Sequence, residues 1–179
     1  MALRLTQIAL ILTLAVLSMG AGTATAGSDT SRTIAAADQL ESDVLAELNK
    51  VRRDHGLSPL KLSRPLSSAA DAHSRAMGTF GYFRHESRDG SEFWKRVKRF
   101  YGPGEFVNWS VGENLLWSSG ELDASAALKL WMESPAHRKN ILTPRWREVG
   151  LSAVSVAAAP GIFGGRDVTI FTTDFGVRS

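Results

Sequence analysis

Three segments of the chain place polar or ionisable side chains among aromatic and aliphatic ones. They are residues 83–91, which contain His85, residues 111–115, which contain Glu113 and Asn114, and residues 130–142, which contain Glu133 and His137. An ionisable group is costly to bury unless it is paired. We therefore expect these side chains either to satisfy one another or to form a site.

The helices that must position these segments are predicted from hydrophobic periodicity and from residues typical of helix ends. The spacing predicts four of them: one from the capping-box pair Asp38 and Glu41 to Gly56, a second from Ser63 to Gly78, a third beginning near Ser91, and a fourth from Asp123 through Trp131.

Two kinds of pattern predict strands in the second half of the chain. Alternation at Val107, Trp109 and Val111 predicts a strand running into Gly112. Residues 149–157 and 168–175 predict an antiparallel hairpin with a long connection. Because the helices come first and the hairpin last, the order favours an α+β domain with helices packed on an antiparallel sheet.

Composition excludes several kinds of site. The 179 residues include no cysteine, so a disulfide framework, a cysteine-ligated zinc and a thiol nucleophile are ruled out. The formal net charge of +3 is too near neutral to indicate a nucleic-acid partner. His85-Glu86 begins like a zincin helix, but Asp89 stands where the second histidine would be.

One basic cluster has two interpretations. Lys95, Arg96, Lys98 and Arg99 lie close together on the predicted third helix. The simpler interpretation is a solvated helix face beside a buried aromatic stripe. The alternative is a surface for an anionic phospholipid or cell-wall polymer.

The beginning of the chain predicts export. Arg4 precedes an apolar run from Ile8 to Met19, and Ala24-Thr25-Ala26 is typical of a cleavage site. We predict a signal peptide over residues 1–26, an N-terminal arm over 27–37 and a folded domain over 38–179, the alternative being an uncleaved anchor. No second apolar run of spanning length follows, so we expect no stable transmembrane anchor and a secreted protein, extracellular or periplasmic.

The ordered set of segments resembles the CAP superfamily: cysteine-rich secretory proteins, antigen 5 and pathogenesis-related class 1 proteins, also called SCP-like extracellular proteins. It is most similar to the bacterial, cysteine-free branch. The resemblance is carried by Leu48-Asn49-Lys50-Val51-Arg52, by Gly112-Glu113-Asn114, by residues 130–142 with Gly150 beyond them, and by Thr173-Asp174-Phe175-Gly176. It implies a three-layer α-β-α sandwich, an antiparallel sheet flanked by helices, with a cleft on one side.

The resemblance also implies a cleft lined by two histidines and two glutamates. By position these are His85, Glu113 and His137, but Ser134 stands where the second glutamate is usual. Glu133 comes one residue early, about 100° away on a helix, and would join the cleft only if a kink before Pro135 turned it back. Asn114 is expected beside the cleft, fixing a turn or capping backbone groups around the glutamate.

Two chemistries fit this set of residues. His85, His137 and Glu113 can ligate Zn²⁺ or another divalent cation and leave one position open. They can instead form a hydrogen-bonded cluster in which Glu113 orients a histidine and raises its pKa. The other two histidines are assigned structural roles, His73 in the core of the second helix and His55 at the surface near a helix end.

Three functions remain open. The first is a binding module for a small apolar ligand, a lipid or a cell-wall glycan, with or without a divalent ion; family members are associated with sterol and lipid binding. The second is a metal-dependent, peptidase-like hydrolase with Glu113 as general base. The third is an interaction protein of the cell envelope with a structural tetrad. The sequence favours the first and third, since the tetrad is incomplete and no nucleophile is evident.

Overall fold

The computed structural model describes residues 25–179 except residue 121, and side chains from residue 31 onward. Apart from its last two residues, the predicted signal peptide lies outside the described part of the chain. The helices are α1 (Thr25–Asp54), α2 (Arg64–Phe80), α3 (Phe93–Phe100), α4 (Ala124–Glu133) and α5 (Pro135–Ile141). The strands are β1 (Lys61–Leu62), β2 (Trp109–Ser118), β3 (Glu148–Ala159) and β4 (Arg166–Arg178).

The four strands form one sheet in the order β1-β3-β4-β2. The β3–β4 and β2–β4 pairs are antiparallel, and the short β1 pairs with β3 in parallel. The predicted antiparallel hairpin is therefore confirmed, and both of its strands are longer than predicted. In this order β2, which carries Glu113 and Asn114, is an edge strand.

Helices cover both faces of the sheet, which confirms the three-layer α-β-α architecture. On one face, α1, α4 and α5 bury a core that includes Leu48, Trp131, Ile141, Phe171 and Phe175. On the other face, α2 and α3 pack over two smaller clusters. One cluster contains Met77, Leu115 and Ile170, and the other contains Leu66, Val97 and Tyr101.

The first helix begins earlier than predicted. It already includes Thr25, so residues 27–37 are helical rather than a loose arm, and Asp38 with Glu41 is not a capping box. No glycine or proline interrupts the chain between Gly27 and Gly56, and small polar residues do not stop a helix. Glu41 instead accepts a hydrogen bond from the backbone N–H of Ala153, 2.8 Å away, and so ties α1 to β3.

The second helix ends later than predicted. Gly78 lies inside α2, where a Cβ would come within 2.5 Å of Val156 Cγ2. This glycine allows α2 to approach β3 closely rather than ending the helix. The end is at Gly81, whose φ of 69° lies in the left-handed region that favours glycine.

Strand β2 continues through Gly112, where the sequence predicted its end. Glu113 and Asn114 are buried in the middle of the strand, because both side chains find hydrogen-bond partners there. The predicted cap of the fourth helix is confirmed, since Asp123 Oδ1 accepts from the Ala126 N–H at 2.7 Å.

Candidate functional site

Edge strand β2 places its two central polar residues on opposite faces of the sheet, because side chains alternate along a strand. Glu113 shares its face with Leu115, which packs beneath α2. Asn114 points to the other face, where its side chain reaches α5. The site is therefore built around the free edge of the sheet, with helices on both sides.

Both carboxylate oxygens of Glu113 are engaged. Its side chain is 1% exposed. One oxygen, Oε1, lies 2.8 Å from His85 Nδ1, and the other, Oε2, accepts from Arg96 Nη2. A buried carboxylate is tolerable only when it is paired in this way.

Arg96 lies on α3, and its side chain is 6% exposed. Besides Glu113, it donates through Nη1 to the backbone oxygen of His85 at 3.2 Å and to Ser87 Oγ at 3.4 Å. One guanidinium thus ties the loop between α2 and α3 to strand β2. The loop that carries His85 is held against the strand that carries its carboxylate partner.

A second buried acid lies directly across from the first. Asp174 on β4 is the register partner of Glu113 and is fully buried. Burial, and next the negative charge of Glu113, raise the pKa of Asp174 well above its ordinary value. The arrangement favours a neutral Asp174, since two adjacent buried carboxylates do not readily share one site as anions.

His85 is the solvent-exposed member of the hydrogen-bonded group that it forms with Glu113 and Arg96. Its side chain is 49% exposed, and its Nε2 makes no hydrogen bond within the described residues. The pKa of His85 is raised, mainly because its ring is hydrogen-bonded to Glu113. Burial acts in the opposite direction and has a smaller effect.

His137 is on α5, across the edge of the sheet. Burial first, and then the charge of His85, lower the pKa of His137, so His85 is close enough to affect the titration of His137. Asn114 Nδ2 donates to the backbone oxygen of His137 at 3.1 Å. Asn114 Oδ1 accepts from Asn140 Nδ2 at 3.0 Å. Asn114 therefore positions the α5 backbone rather than a turn at Glu113.

Glu133 is not brought to this cluster. It is the last residue of α4 and its side chain is exposed. It makes no hydrogen bond or ion pair with any residue that the structure describes. Although Ser134 and Pro135 do separate α4 from α5, the break does not place Glu133 in contact with the histidines or Glu113.

The two remaining histidines have the structural roles predicted for them. His73 is 1% exposed on α2, and its Nε2 donates to the backbone oxygen of Arg84 at 2.9 Å. Burial lowers the pKa of His73 to about 4, which keeps the ring neutral. His55 is exposed after α1, with Nδ1 2.8 Å from the backbone oxygen of Val51.

Sequence reasoning missed Arg96 and Asp174. Arg96 was grouped with a solvated basic face, but only Lys95, Lys98 and Arg99 of that group are exposed. Helical spacing offered a signal, because Arg96 lies three residues after Phe93 and next to buried Val97, on the apolar side of α3. Asp174 stands inside an apolar strand, where an unpaired acid is costly, and that signal was likewise available.

Few side-chain donors around Glu113 are left without a partner in the described part of the chain. Among the described residues, no group of three or more histidine and acidic side chains is arranged to hold a metal ion. Glu113 has no free oxygen, because His85 and Arg96 occupy both. The remaining nitrogen donors are His85 Nε2 and the His137 ring. Glu113 contacts His85 on the opposite side of its ring, at Nδ1.

The opposite pKa directions of the two histidines can be checked by NMR. We expect the ring of His85 to titrate above 6.5 and that of His137 below it. A raised pKa in the folded state means that protonated His85 stabilises the fold below about pH 6.5, and that this contribution is lost as the pH rises through the folded pKa. The measurement is a ¹H–¹³C titration of the ring Cε1 signals.

Glu113→Gln is the matched variant for that titration. A neutral amide cannot favour the imidazolium as a carboxylate does, so the His85 pKa should fall. If His85 titrated at the same pH with and without the Glu113 carboxylate, the coupling would be contradicted.

The fold and the edge-strand site define a particular class of protein, an α-β-α domain with a histidine–glutamate pair at one rim. A family model described as "Cysteine-rich secretory protein family" (CAP) matches residues 45–173. The chain belongs to this family.

Two curated proteins are similar to part of this chain. The uncharacterized protein YkwD of Bacillus subtilis is 32% identical over 114 residues, 64% of this chain and 42% of YkwD. The uncharacterized membrane protein YlbC of the same organism is 29% identical over 111 residues, 62% of this chain and 30% of YlbC. The chain thus spans less than half the length of these curated relatives.

Solved structures show the same fold. An extracellular protein of Bacillus anthracis that contains an SCP domain is 24% identical with a TM-score of 0.62, over 81% of this chain and 42% of that one. An outer surface protein of Borrelia burgdorferi is 17% identical with a TM-score of 0.60, over 76% of this chain and 90% of that one. Within the described residues, none of the helices is both long and apolar enough to cross a membrane.

Proposed function

We propose that this protein is an exported binding module whose site is centred on His85 and takes a divalent cation between His85 and His137. Export is supported by the apolar N-terminal segment and by the two solved structures whose descriptions are an extracellular and an outer surface protein. The single observation that carries the site is the chain of contacts from Arg96 through Glu113 to His85.

The contacts of Arg96 with Glu113, and of Glu113 with His85, prepare His85 as a metal ligand. Because an ionised carboxylate only accepts hydrogen bonds, Glu113 selects the form of His85 in which Nδ1 carries the proton. Nε2 then keeps its lone pair on the solvent side of a half-exposed ring. Metal-bound histidines in proteins commonly have such a carboxylate behind them, which fixes the tautomer and makes the ring more basic. A cation bound there supplies a positive centre for an anionic or hydroxyl-bearing partner.

The contacts of Glu113 favour binding over hydrolysis. A general base needs an oxygen free to take a proton from water. Both oxygens of Glu113 are already used, and its side chain is 1% exposed. No nucleophile with an adjacent base is arranged around His85 among the described residues. These contacts make Glu113 a poor general base and so weigh against the hydrolase alternative.

Calorimetric titration with Zn²⁺ tests the cation site. We expect one site per chain in the purified protein, weakened at least about tenfold in His85→Ala and in His137→Ala, because each change removes one of only two ligands. Glu113→Gln should weaken binding about 10- to 100-fold through loss of the carboxylate behind the ligand.

The control is His55→Ala, which removes an exposed histidine far along the chain from either ligand. It should bind Zn²⁺ as the unchanged protein does. Equal affinity in the unchanged protein and in the double variant His85→Ala/His137→Ala would overturn the proposed site.

A further inference from the structure

A cavity of about 690 Å³ opens at the end of the sheet where β2 begins and β4 ends. It is lined by residues 108–110, by residues 177–179, and by Arg145 and Arg147 from the loop between α5 and β3. The backbones of Asn108 and Ser179 exchange hydrogen bonds of 2.7 and 3.1 Å, so the strand ends that frame the cavity stay paired. The volume falls within the range of about 300–1,000 Å³ that is usual for small-molecule sites.

Three arginines line this cavity, and each guanidinium is held by contacts that leave it free donors. Arg178 lies over the ring of Tyr101, 3.9 Å from its centre. Arg145 lies 4.7 Å from the centre of the Trp146 ring. Arg147 donates through Nη1 to two backbone oxygens of its own loop at 2.8 and 2.9 Å, and its Nη2 bonds to no described residue. A guanidinium that is already positioned loses little freedom when it binds an anion.

The charges of these arginines are not balanced by the protein. Glu148 Oε2 lies 3.8 Å from Arg178 Nη2. Neither Arg145 nor Arg147 forms an ion pair with any acid that the structure describes. Three guanidiniums and one carboxylate leave an excess of two positive charges around the cavity.

A fourth arginine adds positive charge behind the loop. Arg52 on α1 is fully buried, and its hydrogen bonds go to the backbone oxygens of Ser58, Ile141 and Thr143, not to an acid of the described chain. Arg147 is near enough to lower the pKa of Arg52, after the larger effect of burial. A buried charge without an opposite charge is costly. An anion held at Arg147 would stabilise Arg52 through space, without touching it.

We propose that this cavity binds a phosphate monoester of a sugar or another small polyol, with the phosphate at Arg145 and Arg147. Such a phosphate carries about −1.5 to −2 charge at pH 7, which matches the excess positive charge better than the single charge of a carboxylate. Its oxygens accept from several N–H groups at once, which suits the forked guanidinium. The amide of Asn108 and the hydroxyl of Ser110 offer partners for the polyol. The site goes beyond the proposed cation site and shares no lining residue with it.

Calorimetric titration of the purified protein with glucose 6-phosphate, in a buffer free of phosphate, tests the site. We expect one site per chain, with an affinity that falls as the salt concentration rises. Glucose, which lacks the charge, should not bind. Inorganic phosphate, which lacks the polyol, and glucuronate, which carries a carboxylate, should each bind at least about fivefold more weakly.

Matched arginine variants locate the phosphate. Arg145→Gln and Arg147→Gln should each weaken glucose 6-phosphate about 5- to 10-fold. Arg88→Gln is the control and should leave the affinity unchanged. Arg88 is also an exposed arginine stacked on an aromatic ring, 3.8 Å from the centre of Phe80, but it lines a separate cavity between α2 and α3. His85→Ala should lose Zn²⁺ and keep glucose 6-phosphate, so failure of one proposal is distinguishable from failure of the other.

A pair of strand variants tests whether the ligand enters the cavity. Ser110→Phe should reduce binding by filling the space beside the arginines. Ser118→Phe, near the other end of β2 and on the same face, should leave binding unchanged. Circular dichroism shows whether each variant is folded, and the arginine variants test the site if Ser110→Phe is not.

Four results would overturn the site. The first is the absence of binding by glucose 6-phosphate. The second is inorganic phosphate or glucuronate binding as tightly as glucose 6-phosphate. The third is equal weakening by Arg145→Gln and Arg88→Gln, which would indicate general attraction to positive charge. The fourth is undiminished binding in a folded Ser110→Phe protein.

Discussion

Arg96→Met should lower the free energy of unfolding by about 3–5 kcal/mol, the range measured when one partner of a buried ion pair is removed. Arg96 is the buried cation that pairs with Glu113, which lies opposite buried Asp174 on the neighbouring strand. Without the guanidinium, a carboxylate that is 1% exposed has lost its charge partner. The loop at His85 and Ser87 also loses two hydrogen bonds. Urea unfolding followed by circular dichroism measures the change.

Two variants show whether charge is the cause. Lys98→Met, an exposed residue on the same helix, should change stability by no more than about 0.5 kcal/mol. Adding Glu113→Gln to Arg96→Met should recover part of the loss, because a neutral amide costs less to bury unpaired than a carboxylate. If Arg96→Met were no less stable than Lys98→Met, the buried pair would not be supporting the fold.

Gly150→Ala should destabilise the protein by about 3 kcal/mol or more, at the upper end of the cost of overpacking a core. A Cβ at Gly150 would lie 2.1 Å from the backbone carbon of Leu66 and 2.2 Å from the backbone nitrogen of Ser67. These atoms belong to the first turn of α2, so no side chain can rotate away. The only relief is to move α2 off β3, which would open the core on that face.

Two other glycines give a graded comparison. At Gly176 a Cβ would meet side-chain atoms of Tyr101 and Leu66 at 2.8 and 2.9 Å, so Gly176→Ala should cost less than Gly150→Ala. At Gly120 nothing lies within 4 Å, and Gly120→Ala should be close to neutral. Thermal unfolding in parallel orders the three variants, and the yield of folded protein does so if Gly150→Ala does not fold. A Gly150→Ala protein as stable as Gly120→Ala would contradict the close contact.

Part of the site followed from the sequence alone. Polar residues inside apolar segments marked three stretches of the chain, and the family resemblance indicated His85, Glu113 and His137 within them. The structure joins the first two by a hydrogen bond of 2.8 Å. The third is near enough for His85 to affect its pKa. Glu133 also fitted the composition of a cleft, but the helix end leaves it exposed.

Helix ends were less well predicted than helix faces. The apolar stripe of α2 was correct, but Gly78 was taken for its end because glycine commonly ends helices. Its actual reason is the contact with Val156 on β3, a residue 78 positions later in the chain (156 − 78). A residue's role in packing against a distant strand leaves little trace in the local pattern from which a helix end is predicted.

By itself, the amino-acid sequence determined the order of four of the five helices and three of the four strands in the described residues, and the family. These depend on residues a few positions apart, whose spacing sets which sides are apolar. Only the tertiary structure decided that Arg96 is buried and pairs with Glu113 instead of joining the exposed basic face of α3. It also decided that Asp174 lies opposite that glutamate and that a cavity remains between α2 and α3. Each of these depends on strand register and helix docking, in which groups far apart in the chain meet at distances that no local pattern records.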